Sequence, residues 1–218
     1  VEDNAPRAIP IKPAAPPRAQ AVETPNQPKG PEQDLFDYAT LAYTQKDYVI
    51  AGESFGKYLA TFPQGSHVAE ALFRLGECLR NQGRGPEAER YYREVVERHA
   101  KSEFSPNSAY WLGVISYNAN DFKAATTFFD FCESRSTIAK VKIAAAFYKS
   151  EAYGQLKDRK KQLEALKPVL ESKTDNSYLE QALLSAATIY QDDGKNDKAL
   201  PMLLELIDTS KDPAVQGN

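Results

Sequence analysis

The chain is poor in the residues from which most catalytic and cofactor sites are built. It has two histidines, two cysteines, one methionine and one tryptophan in 218 residues. His67 and His99 fall near expected helix ends, and no nucleophile with a base and an orienting partner can be picked out. No glycine-rich phosphate cradle occurs, since the glycines sit at turns and helix crossings. Catalysis and bound cofactors are therefore not expected. Cys78 and Cys132 have no C-x-x-C spacing and lie in separate expected helices, which argues against a metal centre. Packing as small buried thiols is the preferred reading, and a disulfide is the alternative.

Basic excess is also missing. Lys and Arg total 27 against 30 Asp and Glu, for a net charge of -3, and the pI is near 5.6. That distribution gives no electrostatic footprint for nucleic acid. No apolar run reaches the roughly 18 residues that a membrane span needs. The chain starts at Val1 with no signal sequence; the expectation is a processed chain whose targeting segment has been removed, with membrane tethering through that lost N terminus.

Proline is abundant, but unevenly so: eight of the 14 prolines precede residue 32. Residues 1–31 have few apolar side chains and no periodicity, so they are expected to be a disordered tail. P-x-x-P spacings at Pro10/Pro13, Pro13/Pro16, Pro25/Pro28 and Pro28/Pro31 could present a polyproline ligand, but a spacer reaching on the order of 90 Å is preferred.

The stretch Ala69–Arg98 reads as two amphipathic helices. Leu72, Leu75, Gly76 and Leu79 form one helical stripe. Gly83 and Gly85 interrupt it, and Pro86 and Glu87 open a returning helix with Ala88, Tyr92, Val95 and Val96 inside. Glu89/Arg93 and Glu94/Arg98 are favourable i,i+4 pairs on its outer side. The pattern recurs. Ala51, Ala88, Ala125, Leu163 and Ala199 open the second helices at steps of 37, 37, 38 and 36, and Ala39, Gly76, Gly113, Glu151 and Ala187 mark the first helices, with the fourth repeat out of line. Five repeats are expected, at about 32–65, 69–102, 106–139, 140–174 and 177–210, followed by a tail at 211–218. Asp34 is expected to cap the first helix and Ser105-Pro106 to open the fifth. Helix A of repeat four is expected to span Ile138–Leu156, Pro168 to break or kink its partner, and the basic turn Lys157–Lys161 to be a solvated turn, with contact to an acidic surface as the alternative.

The large-x-x-large-small pattern of Leu72, Leu75 and Gly76, the small Ala88 and the closing Pro63 resemble the tetratricopeptide repeat. The resemblance implies an all-α, right-handed α-solenoid of about five helix pairs, acting as a non-enzymatic scaffold for a protein or peptide partner. Its period exceeds the usual 34 or so by about three residues, which are placed between repeats. The linker FPQGSHVAEALFRLGECL is similar in style to bacterial envelope proteins of the Tol-Pal cell-division coordinator family and the barrel-assembly lipoprotein, which implies a periplasmic or envelope-associated adaptor. The alternatives are a cytosolic or secreted peptide-binding module and the front part of a longer repeat protein. In this repeat class the concave wall comes from helix A. Carrying it over selects Phe36, Thr40, Tyr43, Phe73, Glu77, Arg80, Asn81, Tyr110, Tyr117, Asn118, Tyr148 and Gln155. Phe36 and Thr40 stand where a chaperone-tail carboxylate clamp would need basic or amide groups.

The last helix carries Leu200, Met202, Leu203, Leu204, Leu206 and Ile207, more apolar surface than one packing stripe uses. Further repeats or self-association through that edge is expected.

If the stripe assignment holds, Leu75→Ala destabilises by about 2–5 kcal/mol and Ala88→Arg disrupts packing. Circular dichroism melts of both variants check this, and parental melting points would refute the alignment.

Overall fold

The computed structural model of the chain describes residues 30–172 and 176–209, so the expectations for the proline-rich tail and for 211–218 lie outside the described residues. The described residues form ten helices and no strand. They are α1 (Pro31–Thr44), α2 (Tyr48–Thr61), α3 (Val68–Asn81), α4 (Gly85–Arg98), α5 (Ser105–Asn118), α6 (Phe122–Arg135), α7 (Ala139–Gln155), α8 (Arg159–Leu170), α9 (Leu179–Asp192) and α10 (Asn196–Thr209). They group into two compact units, one ending at Asn118 and one starting at Ala119. Within each unit, helices adjacent in sequence pack on one another.

The repeat is stricter than the sequence suggested. The second helices start at 48, 85, 122, 159 and 196, and the first helices end at 44, 81, 118, 155 and 192, a spacing of 37 throughout. Repeat four is in register after all: the position of Ala51 and Ala88 is held there by Gln162, and that of Ala39 and Gly76 by the fully buried Ser150, in place of the expected Leu163 and Glu151. Gln162 fits because the facing residue is Gly154, whose missing Cβ would lie 3.0 Å from the Gln162 amide nitrogen.

Each loop before a second helix holds one residue in the left-handed region: Lys46, Gly83, Asn120, Lys157 and Gly194. Glycine adopts this conformation freely, whereas other residues incur a steric penalty. The three non-glycine cases are each followed by an aspartate that caps the next helix. Asp47, Asp121 and Asp158 accept from the backbone N–H of Ile50, Ala124 and Lys161 at 3.1, 3.0 and 3.1 Å. Such a cap contributes roughly 1 kcal/mol. Gly83 and Gly194 are followed instead by Arg84 and Lys195.

Local expectations shift at several ends. α1 begins at Pro31 after Gly30, so Asp34 lies inside its first turn and is not the cap. Ser105 is the first residue of α5, and its hydroxyl is buried with no hydrogen-bond partner among the described residues. α7 fills the expected 138–156 span, with Ile138 and Leu156 as its caps. Pro168 does not break α8 at that point; it sits in the last turn, and the helix ends at Leu170 after 12 residues where the other second helices have 14. α10 carries an interior proline, Pro201, whose ring removes one backbone donor. In the basic turn, Arg159 pairs with Asp192 and Asp193 at 2.7 and 3.2 Å. The outer pairs Glu89/Arg93 and Glu94/Arg98 form at 2.6 and 3.2 Å.

The core is built from equivalent positions of the second helices. Phe55, Tyr92, Phe129 and Leu166, and one turn on Tyr58, Val95, Cys132 and Val169, are all fully buried. Burying a side chain of this kind contributes about 1.5–3 kcal/mol. Cys78 and Cys132 are buried free thiols. Burial, reinforced by the charges of Glu77 and Glu133 respectively, pushes each up to about 12. No described helix is long and apolar enough to cross a membrane.

Two helices approach closely at Gly76, where a Cβ would lie 2.7–3.0 Å from three ring atoms of the buried Tyr92. Gly56, also in a helix, has nothing within 4 Å of its missing Cβ. Gly56→Ala is therefore expected to stabilise by about 0.5–1 kcal/mol. Gly76→Ala is expected to destabilise, because overpacking of roughly 1–3 kcal/mol outweighs the same helix gain. Denaturant titrations of the pair read out the opposite signs.

Candidate partner-binding face

The first helices α1, α3 and α5 present corresponding positions side by side within the first unit. One set of these positions is structural. Phe36 is buried, stacked on His67 at 4.1 Å and edge-on to Phe55 and Tyr58 at 5.9 and 5.4 Å. Phe73 is buried against Tyr92 and Phe104 at 6.0 and 5.6 Å. Tyr110 is buried and meets Trp111 edge-on at 5.2 Å. Tyr148, in the second unit, is buried against Phe129, Phe147 and Tyr178. These four buried rings offer little surface to a partner. Phe36, Phe73 and Tyr148 each meet the residue just before the next first helix, His67, Phe104 and Tyr178 respectively.

Access to solvent is retained elsewhere. Tyr43, Arg80, Thr40 and Tyr117 are half-buried, and Asn81, Asn118 and Gln155 are exposed, Gln155 lying in the second unit. Glu77 is buried and organises the centre of the first unit's face. Its carboxylate accepts from the Tyr43 hydroxyl at 2.9 Å and from Arg80 at 3.1 Å, and the Asn81 amide donates to the Glu77 backbone carbonyl at 2.8 Å. Arg80 lies 3.9 Å over the Trp111 ring, and Arg74, paired with Glu70 at 3.3 Å, lies 4.6 Å over the Tyr43 ring. Charged hydrogen bonds and cation–π contacts thus hold both guanidinium groups in place. Burial, reinforced by the Glu77 charge, pushes the Tyr43 phenol well above its ordinary range, so it stays a neutral donor. The Thr40 hydroxyl oxygen is shielded from water and has no hydrogen-bond partner among the described residues.

Two members of this face, Arg74 and Trp111, were not among the residues selected from the sequence. The strict spacing contains the missing signal, since Arg74, Trp111 and Tyr148 stand 37 residues apart.

The tetratricopeptide repeat family matches residues 36–103, 82–130 and 182–216, together more than half of the chain. The chain belongs to the tetratricopeptide repeat family. No curated protein matches it. Among solved structures it is similar to a MamA protein, with 19% identity and a TM-score of 0.66 over 84% of this chain and 93% of that one. It is also similar to a tetratricopeptide repeat protein from Parabacteroides merdae ATCC 43184, with 18% identity and a TM-score of 0.66 over 84% of this chain and 69% of that one. At these identities the likeness concerns the fold.

Trp111 is the only tryptophan in the sequence, so its emission reports on this face alone. Glu77→Gln removes the charge that pairs Arg80 and is expected to cost about 1–3 kcal/mol and to shift Trp111 fluorescence as Arg80 loosens. Unchanged emission and stability would mean that Arg80 stays on the indole without Glu77.

Proposed function

We propose that the protein is a non-enzymatic adaptor that binds an extended segment of a protein partner along the first-helix face of its first unit, and that it works in the bacterial envelope. A tetratricopeptide repeat is a protein-interaction scaffold, and the network around Glu77 supports this particular surface. Arg74 and Arg80 are fixed by carboxylates and rings, and 17% and 23% of their side-chain surfaces stay open to solvent. Tyr43 and Tyr117 flank them as half-buried aromatics. Such a surface suits a chain that offers carbonyl and carboxylate oxygens at intervals, and rigid aromatics bury area with few rotors to freeze. The envelope setting is supported by the linker style before α3 and by the proline-rich start.

The test is a pull-down from separated envelope and cytosolic fractions, comparing the parent with an Arg74→Ala, Tyr117→Ala double variant. The partner is expected in the envelope fraction, and the double variant is expected to weaken its capture by more than about 1 kcal/mol, roughly fivefold, with the helical circular dichroism signal intact. Equal capture by both proteins would refute the face, and recovery only from the cytosol would refute the location.

A further inference from the structure

Where a first helix follows a second helix within a unit, it packs through one stripe of three positions, all buried in α3 and α9 and two of three buried in α5 and α7. In α3 these are Ala71, Leu75 and Cys78, and in α9 they are Ala182, Ala186 and Ile189, all buried. In α5 the first two, Ser108 and Leu112, are buried, and in α7 Ala145 and Ala152 are. The matching residues of α1 are Asp34, Tyr38 and Leu41, and all three are exposed, the two apolar ones at 55% each. The opposite half of the interface is bare on α10. Its Leu203 matches the fully buried Phe55, Tyr92, Phe129 and Leu166 yet is only half-buried, and Leu200, Leu204 and Ile207 beside it are 58%, 53% and 40% exposed.

We propose that the protein associates head to tail with further copies of itself, α10 of one molecule packing on α1 of the next in the register that α2 uses for α3. The two bare faces are the two halves of the interface that already joins α2 to α3 and α8 to α9, so the contact continues an interaction built into the chain. The register follows from Gly52, the equivalent of Leu200. A Cβ at Gly52 would lie 3.4 Å from Cys78 Cβ and 3.7 Å from Leu75 Cδ1, which sets Leu200 against the equivalent Leu41 and Tyr38 of the neighbouring copy. A contact between two copies of α10 leaves Tyr38 and Leu41 uncovered. Head-to-tail contacts use two different patches, so a pair of copies still presents one free patch of each kind and growth continues beyond two, to a closed ring or an open filament. Asp34 stands where three other repeats carry alanine and one carries serine. Covering its carboxylate weakens the contact and keeps assembly dependent on concentration.

The experiment is sedimentation of the full 218-residue chain over a concentration series. The mass of the parent is expected to rise without stopping at two copies. Tyr38→Glu and Leu204→Glu, which disable opposite ends, are each expected to run as monomers, and their equimolar mixture to form a two-chain species and nothing larger. That mixture also serves as the folding control, since a misfolded variant cannot restore the pair. Asp34→Ala is expected to associate at least fivefold more tightly. A parent that stays monomeric throughout, as it would if residues 210–218 or a different protein covered α10, overturns the proposal. So does a Tyr38→Glu variant that still dimerises, or a mixture that stays monomeric.

Discussion

A single left-handed residue before each second helix sets the register of the chain. Helical side chains advance about 100° per residue, so a stack of helix pairs can bury the same stripe repeatedly only if every turn reverses the chain in the same way. The positions Lys46, Gly83, Asn120, Lys157 and Gly194 meet that requirement by two chemical routes. Glycine removes the steric penalty. Where lysine or asparagine stands there, the following aspartate caps the next helix and offsets the strain locally. The fully buried columns of the second helices and the first-helix face both inherit their alignment from these turns.

Much of this was legible in the sequence because it is local. The helical stripe of Leu72, Leu75 and Leu79, the turn at Gly83, and the long span of α7 are all set by residues within a few positions of one another. Repeat four was misaligned for a different reason. The small residue expected on its second helix had moved across the interface to Gly154, leaving room for Gln162, and an exchange between two helices does not show in either segment alone. The cap at Asp34 failed because the proline at the head of α1 starts the helix four residues earlier.

The candidate face was less legible, because periodicity names columns without saying which columns are covered. Phe36, Phe73 and Tyr110 fall in one column, and all three are buried, which the sequence could not show. The charges carry a similar lesson. Glu77 and Arg80 looked like two surface residues one turn apart, yet together with Tyr43 and Trp111 they form a buried-edged network across three helices. Such a network limits the conformations of its long side chains before any ligand arrives, which reduces the entropy lost on binding.

The identical spacing of the five turns also makes the stretch between two of them an exchangeable cassette. Excising residues 47–83 would join Lys46 to Arg84, one left-handed turn residue directly to the capping position of the next repeat, and every later side chain would keep its face. Removing one residue more or fewer would rotate the downstream helices by about 100° and turn a buried stripe toward water. Length change in this chain is therefore quantised, tolerated in whole repeats and disruptive in fractions.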